Sequence, residues 1–140
     1  ATLQGVEVAW QHAFDNGFGF LTNYTWTDAE QNDGLPMPGA SEHLANISGY
    51  YENDWVSARL SYNYRSEFFL KVDRADELSQ EATKSLDGSI TANLTDKYSV
   101  SLDAVNLTDE EIRQYSGFEE RTRAIYDNGR IFYLTLRGKL

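Results

Sequence analysis

The final stretch of the sequence, residues 129–140, constrains the fold more than any other. From Phe132 onward its side chains alternate between apolar and polar. The apolar face carries Phe132, Leu134, Leu136 and Leu140, and the other face carries Tyr133, Thr135, Arg137 and Lys139. A repeat of two residues predicts an extended strand with one apolar side. Such a strand recruits other chains when it is exposed, whereas a closed membrane barrel pairs its edge and covers its apolar side with lipid.

Six earlier segments show the same alternation. They are residues 5–14, 18–28, 43–51, 55–65, 86–94 and 98–107. The clearest is 55–65, where Leu60 and Tyr62 fall on one face while Arg59 and Arg65 fall on the other. Two arginines on one face require water on that side, because unpaired charges are costly to bury. Together with the final stretch, these segments predict an all-β protein with about seven strands.

The connections between the predicted strands alternate regularly in length. The short ones are residues 15–17, 52–54 and 95–97, and the first contains Asn16-Gly17, a pair that favours tight hairpins. The long ones are residues 29–42, 66–85 and 108–128, with one or two helical turns expected within 73–84. Outer-membrane barrels combine tight periplasmic turns with long outer loops, whereas Greek-key sandwiches do not alternate in this way. The pattern favours an antiparallel transmembrane β-barrel segment.

The order of the turns also predicts an orientation. The last strand would descend from a long outer loop, and counting back seven strands places Ala1 on the outside. Bacterial barrels of this kind usually have an even number of strands and both termini on the periplasmic side. We therefore expect residues 1–140 to be the C-terminal portion of a larger barrel whose earlier strands are absent.

Composition excludes several other classes of protein. No apolar run approaches the roughly 18 residues that a spanning helix needs. The absence of cysteine removes disulfides and thiolate-based metal sites. A formal net charge of −10 argues against nucleic acid as a partner, since such binding depends on lysine and arginine contacts with phosphates.

We predict no catalytic, cofactor-binding or metal-binding residues. Asp109-Glu110-Glu111 offers the oxygen ligands that hard cations prefer, but a solvated loop is the favoured interpretation. His12 and His43 have no nucleophile motif beside them, which argues against a hydrolase. We therefore expect a protein that is not an enzyme.

At the sixth strand the sequence begins to resemble a known family. Asn106-Leu107-Thr108-Asp109-Glu110, then Tyr115, then Tyr126-Asp127-Asn128-Gly129-Arg130 before an alternating final strand, is similar to the C-terminus of TonB-dependent outer-membrane receptors. Upstream, Leu35-Pro36, Pro38-Gly39, His43 with Ala45-Asn46, and Ser61-Tyr62-Asn63-Tyr64-Arg65 resemble the family in the same order and spacing. The resemblance covers nearly the whole chain.

The resemblance implies a 22-stranded barrel that is plugged by an N-terminal domain and lies in the outer membrane of a Gram-negative bacterium. Such receptors import scarce ligands such as iron chelates, cobalamin or oligosaccharides, with energy supplied through the TonB complex. The implied partners are outer-membrane lipid, the plug with the remaining strands, and the TonB complex through the missing N-terminal part. This chain would then supply barrel wall and extracellular loops.

Four aromatic residues in the long connections are candidates for ligand contact. They are Phe68, Phe69, Tyr115 and Phe118. Aromatic rings in outer loops can stack on a sugar or on an aromatic chelate. Only their position in the loops prompts this hypothesis.

Two other classes of protein fit parts of the same pattern. One is a soluble β-sandwich or carbohydrate-binding module, in which Leu60, Tyr62, Leu102 and Leu136 would be buried. The other is a different outer-membrane barrel, such as an enzyme or an autotransporter. Contact of those four side chains with lipid would exclude the first class, and a plug domain before Ala1 would exclude the second.

Overall fold

The chain folds into eleven antiparallel strands in a computed structural model that describes residues 1–74 and 76–139. The strands are β1 (Thr2–Ala13), β2 (Phe18–Glu30), β3 (His43–Glu52), β4 (Val56–Arg65), β5 (Phe68–Asp73), β6 (Asp76–Gln80), β7 (Thr83–Asn93), β8 (Tyr98–Val105), β9 (Ile112–Ser116), β10 (Phe118–Tyr126) and β11 (Ile131–Gly138). Within the two described ranges, no helix is long and apolar enough to cross a membrane.

Seven strands form one large sheet in the order β1-β2-β3-β4-β7-β8-β11. These are the seven strands that alternation predicts, with ends that differ by a few residues, so the prediction is confirmed. Each strand pairs antiparallel with its neighbours, from Thr2 opposite Glu30 to Gly138 opposite Tyr98. Leu140, which the alternation assigns to the apolar face, lies outside the described residues.

The register aligns the apolar sides of all seven strands on one face of this sheet. Val8 pairs with Tyr24 at one edge, and Ile47 pairs with Tyr62 in the middle. Toward the other edge Leu102 pairs with both Ile90 and Leu134, which continues the same face. The large sheet therefore carries one continuous apolar face, because residues directly opposite each other project to the same side.

This apolar face is open and does not enclose a core. The exposed fraction is 77% for Leu134, 64% for Trp10 and 51% for Leu60. Among the described residues, the buried hydrophobic side chains are Phe68, Phe69 and Leu78, and all three belong to strands outside the large sheet. A sandwich would bury the apolar face of the large sheet against a second sheet, so the structure contradicts that alternative.

The opposite face of the large sheet is polar and hydrogen-bonded across strands. Ser48 and Ser61 Oγ atoms lie 2.7 Å apart, and Thr91 Oγ1 lies 2.8 Å from Ser101 Oγ. Asn63 Nδ2 donates to Asp87 Oδ2 over 3.2 Å. These cross-strand pairs rigidify the sheet while leaving a hydrophilic surface.

The long connections meet at one end of the large sheet, where two of them form a second sheet. Its order is β10-β9-β6-β5, and it pairs segments from the 66–85 and 108–128 connections. The described residues within 73–84 form no helical turn, because β5 and β6 pair as antiparallel strands there. Leu78 is buried in β6, and the pairing of β6 with β9 overrides local helix propensity. The prediction of a helix was wrong.

Ion pairs hold this small sheet together. Arg113 Nη1 lies 2.5 Å from Glu81 Oε1, and Arg121 Nη1 lies 2.5 Å from Asp76 Oδ2. Arg123 Nη2 lies 2.6 Å from Asp73 Oδ2, and its hydrogen bond lowers the pKa of the Asp73 carboxyl. Because the pKa of Asp73 is lowered on folding, its ion pair contributes fully to stability at pH values above the carboxyl's ordinary pKa of 3.8. That contribution is lost as the pH falls through the folded-state pKa.

The first turn gives a test of the packing at the opposite end of the sheet. Gly17 has a φ of 86°, and its carbonyl accepts a 2.8 Å hydrogen bond from Glu52 N at the end of β3. A Cβ at Gly17 would overlap the Glu52 carbonyl oxygen, whereas Gly34, with a φ of 81°, has open space around it. We expect Gly17→Ala to destabilise the protein by about 1–2 kcal/mol more than Gly34→Ala, since only Gly17 adds a steric overlap to the backbone strain.

Thermal unfolding of the two variants, followed by circular dichroism, measures this difference. Gly34→Ala is the matched control for strain at positive φ. Equal unfolding temperatures for the two variants would show that the turn does not pack against β3 as described.

Candidate ligand-binding site

A cavity of about 610 Å³ lies at the end of the large sheet where the long connections meet. Its wall includes the end of β2, the loop before β3, residues 66–69, and parts of β6 and β9. The parts of β6 and β9 lie next to each other in the wall because these two strands pair. A volume of this size is within the range of small-molecule sites.

Hydrogen bonds fasten one wall, the 31–42 loop, to the rest of the site. Gly39 N donates to Phe69 O over 2.8 Å. Arg65, at the end of β4, donates from Nε to Ser41 Oγ and from Nη2 to Gly39 O, both over 2.7 Å. Its guanidinium also lies 3.8 Å from the centre of the Phe68 ring, a cation–π contact. One arginine thus connects β4, the loop and the small sheet.

Three of the four aromatic residues predicted for ligand contact line this cavity. They are Phe68, Phe69 and Tyr115. Phe68 and Phe69 are only 9% and 6% exposed, so both side chains are largely packed within the protein. Phe118 lies outside the cavity wall and is 58% exposed, since it begins β10 at the edge of the small sheet.

Tyr115 is hydrogen-bonded within the site. Its hydroxyl donates to Glu67 Oε2 over 3.0 Å, which connects β9 to the residue before β5. Burial, and then the hydrogen bond to Glu67, raises the pKa of the Tyr115 phenol above its ordinary value of 10.0. The folded state therefore favours the protonated phenol.

We expect Tyr115 to ionise only above pH 10. Because its pKa is raised on folding, its contribution to stability is complete below 10.0 and is lost as the pH rises through the folded-state pKa. The difference in phenolate absorbance between the wild-type protein and Tyr115→Phe, followed during alkaline titration, isolates this group. Ionisation of the difference signal at or below pH 10 would contradict the assigned environment.

Five acidic residues also line the cavity, and sequence reasoning missed them. They are Asp28, Glu30, Glu42, Glu67 and Glu77. They come from four separate connections or strand ends, so no local motif groups them. The only signal in the sequence was the abundance of acidic residues in the long connections.

A second set of polar contacts orients Glu42 at the rim. Trp26 Nε1 donates to Glu42 Oε1 over 3.2 Å, and His43 Nε2 lies 3.6 Å from the same oxygen. The other ring nitrogen of His43, Nδ1, lies 2.8 Å from the Tyr24 hydroxyl. His43 thus bridges β2 and the loop before β3.

With this geometry established, comparison with known proteins assigns the family. A family model described as TonB dependent receptor-like, beta-barrel matches residues 1–107. The chain belongs to this TonB-dependent receptor family. No curated protein and no solved structure gives a significant match. The family consists of outer-membrane transport receptors of Gram-negative bacteria.

The open apolar face of the large sheet agrees with this family. A β-barrel segment presents apolar side chains outward and polar ones toward its lumen. The family match ends at residue 107, but β11 continues the same sheet by pairing with β8 from Ile131 to Gly138. The large sheet therefore includes the last strand of the chain.

Asn106, the first residue of the motif that suggested the receptor family, is a hydrogen-bonded junction at the rim. Its Nδ2 donates to Glu110 O and Gly129 O over 3.2 and 3.1 Å, and its Oδ1 accepts from Glu110 N over 2.9 Å. Its own N–H donates to Asp87 Oδ1 over 2.9 Å. Asn106 therefore ties together both ends of the last long connection and β7.

The remaining candidates from the sequence occupy other places in the receptor segment. Asp109 pairs with Arg130 over 3.1 Å, and Glu110 Oε1 accepts from Lys84 N over 3.1 Å, so the acidic triplet is divided among separate partners. Within residues 1–74 and 76–139, no group of three acidic or histidine side chains could hold a metal ion. His12 packs against Phe14 near the first short turn, with ring centres 4.6 Å apart.

Proposed function

We propose that this chain forms part of the barrel wall and extracellular loops of a TonB-dependent receptor that imports a scarce ligand. The ligand classes are an iron chelate, cobalamin or an oligosaccharide. The observation that carries the proposal is the 610 Å³ cavity at the loop end of a sheet whose apolar face is open. A capture site beside a membrane-embedded wall is the arrangement that uptake requires.

The two faces of the sheet have different roles in this proposal. The apolar face contacts outer-membrane lipid. The polar face, with Asn63 and Asp87 near its centre, contacts the aqueous lumen and the plug domain. The remaining barrel strands pair with the two edge strands, β1 and β11. The long connections face the outside, and the short turns face the periplasm.

The driving energy comes from elsewhere in the receptor. The TonB complex engages the N-terminal part of the protein, so residues 1–140 contribute ligand capture and a wall, and no catalytic step. They correspond to the C-terminal portion of a barrel of about 22 strands, as the family resemblance implies.

Uptake by the intact receptor in its own bacterium tests the proposal. We expect deletion of the receptor to impair growth when iron, cobalamin or an oligosaccharide is limiting, in one of these three conditions. Loss of the TonB complex should give the same defect, and the intact gene should restore growth. Normal growth of the deletion strain in all three conditions would contradict the proposal.

Two variants test the aromatic ligand contacts. Within the intact receptor, Tyr115→Ala removes the ring whose hydroxyl is bonded to Glu67, and Phe118→Ala removes an exposed ring outside the cavity. We expect both to lower the apparent affinity for the ligand identified by growth. Unchanged affinity in both variants would refute the predicted contacts of Tyr115 and Phe118.

A further inference from the structure

The small sheet continues four strands of the large sheet outward. Residues 66–67 join β4 to β5, and residues 81–82 join β6 to β7. In the same way, residues 106–111 join β8 to β9, and residues 127–130 join β10 to β11. The pairing repeats as well, because the order β5-β6-β9-β10 matches β4-β7-β8-β11 strand for strand. Each strand of the small sheet therefore extends one strand of the large sheet.

Backbone hydrogen bonds continue the ladder into the connections between the two sheets. Glu81 N, just after β6, donates to Arg113 O in β9 over 2.9 Å. Leu107 N, just after β8, donates to Leu86 O in β7 over 2.7 Å. Both bonds join strands that are already neighbours, so the ladder runs from one sheet toward the other without a change of partner.

The β5 edge of the small sheet is held by a loop of the next strand in the large sheet. That strand is β3, which neighbours β4, and the 31–42 loop leads into it. Gly39 N in this loop donates to Phe69 O in β5 over 2.8 Å, and Arg65 holds the same loop through Ser41 Oγ and Gly39 O. On this side, the outer part of the neighbouring strand thus reaches the edge of the small sheet.

The opposite edge, β10, has no such partner among the described residues. Apart from its pairing with β9, no backbone hydrogen bond joins residues 118–126 to another described segment. Residues 119–121 interrupt the pairing with β9, whereas residues 124–126 pair regularly with residues 112–114. Ile125 and Tyr126 in this regular part are 54% and 51% exposed. An open, regular edge with apolar side chains is a template for another strand.

We infer that residues 124–126 pair with an extended segment of the receptor outside residues 1–140, namely the outward continuation of the barrel strand that pairs with β11. The inference rests on the proposed function, since it requires a barrel that continues beyond this chain. The β10 edge is continuous with the free edge of β11, because β10 leads into β11 and both strands are the last of their sheets. The small sheet is then held on both edges, by the 31–42 loop at β5 and by this segment at β10.

Photo-cross-linking in the intact receptor tests this inference. The variant Ile125→benzoylphenylalanine carries a ketone that links to neighbouring C–H groups on illumination, and mass spectrometry identifies the linked peptides. We expect a link within one receptor molecule, from residue 125 to a segment outside residues 1–140. Ala40→benzoylphenylalanine is the matched control, because Ala40 lines the cavity with Phe68 and Phe69 and its link should fall within this chain.

Hydrogen exchange of the intact receptor measures the same pairing without a substitution. A strand with one partner has about half of its amides in the ladder, whereas a strand with two partners has nearly all of them. We therefore expect most amides of residues 122–126 to exchange slowly.

Three outcomes would overturn the inference. The first is the absence of a link from residue 125 to a segment outside residues 1–140. The second is a link from residue 125 to a second copy of the receptor or to another protein, and the third is fast exchange of about half of the amides of residues 122–126. Failure of the proposed function is scored separately, by normal growth of the deletion strain.

Discussion

The variant Leu134→Arg is expected to destabilise the intact receptor by about 2–4 kcal/mol. Leu134 lies in the middle of β11 on the apolar face, and its side chain is the most exposed of the large hydrophobic residues described. Its replacement therefore disrupts little packing within this chain. The expected cost arises because the arginine would be placed in hydrocarbon.

The adjacent residue provides the matched control. Thr135 lies on the polar face of the same strand, and Thr135→Arg should change stability by less than about 1 kcal/mol because its charge faces water. Urea unfolding of the intact receptor in lipid vesicles measures both variants. Equal and small effects would show that the apolar face is not in contact with lipid.

Replacement of Asn106 by alanine is expected to destabilise the receptor by about 2–4 kcal/mol. The variant loses three side-chain hydrogen bonds, each with a net contribution of about 0.5–1.5 kcal/mol. It also places alanine at a φ of 58°, a conformation that asparagine tolerates better. We expect the last long connection to detach from the end of β8, and protease cleavage within residues 108–128 to become faster.

Two controls separate these contributions. Asn106→Gly keeps the positive φ and removes only the amide, so it should be about 1 kcal/mol less destabilising than Asn106→Ala. Asn23→Ala, on the polar face of β2, removes an asparagine that makes no side-chain hydrogen bond to a described residue, and should have little effect. An Asn106→Ala receptor as stable and as protease-resistant as the wild type would contradict the role of this junction.

The large sheet was predictable because its signal is local and repeated. In β4, Leu60 and Tyr62 alternate with Arg59 and Ser61, and one face of each strand meets water, so the period of two is visible in the sequence. Turn residues such as Asn16-Gly17 then mark where strands end. Strand order follows, because short turns join antiparallel neighbours.

The small sheet was not predictable in the same way. Its central pairing joins residues 78–80 to 114–116, which are far apart in the sequence. The charged residues of the β5–β6 hairpin resemble an exposed helix, whereas their partners are arginines supplied by β10. Long-range pairing decided the outcome, and a single sequence carries little information about such pairing.

The candidate site was predictable only in part, for the same reason. Phe68, Phe69 and Tyr115 were identified because aromatic residues are conspicuous in polar loops. Glu30 and Glu77 were missed because acidic residues in loops are ordinary, and only the packing of β6 against β9 brings them to one cavity. Phe118 is also an aromatic residue of a long connection, but it begins the edge strand β10, which places it outside the cavity wall.

Labelling of single cysteines tests the central claim most directly, since residues 1–140 contain no native cysteine. Three neighbouring pairs in the intact receptor, otherwise free of cysteine, sample both faces: Leu60→Cys with Ser61→Cys, Leu102→Cys with Ser101→Cys, and Leu136→Cys with Thr135→Cys. We predict that a thiol reagent confined to the bilayer labels the first member of each pair and that a charged aqueous reagent labels the second. Protection of Leu60→Cys, Leu102→Cys and Leu136→Cys from the bilayer reagent would contradict a lipid-facing barrel wall.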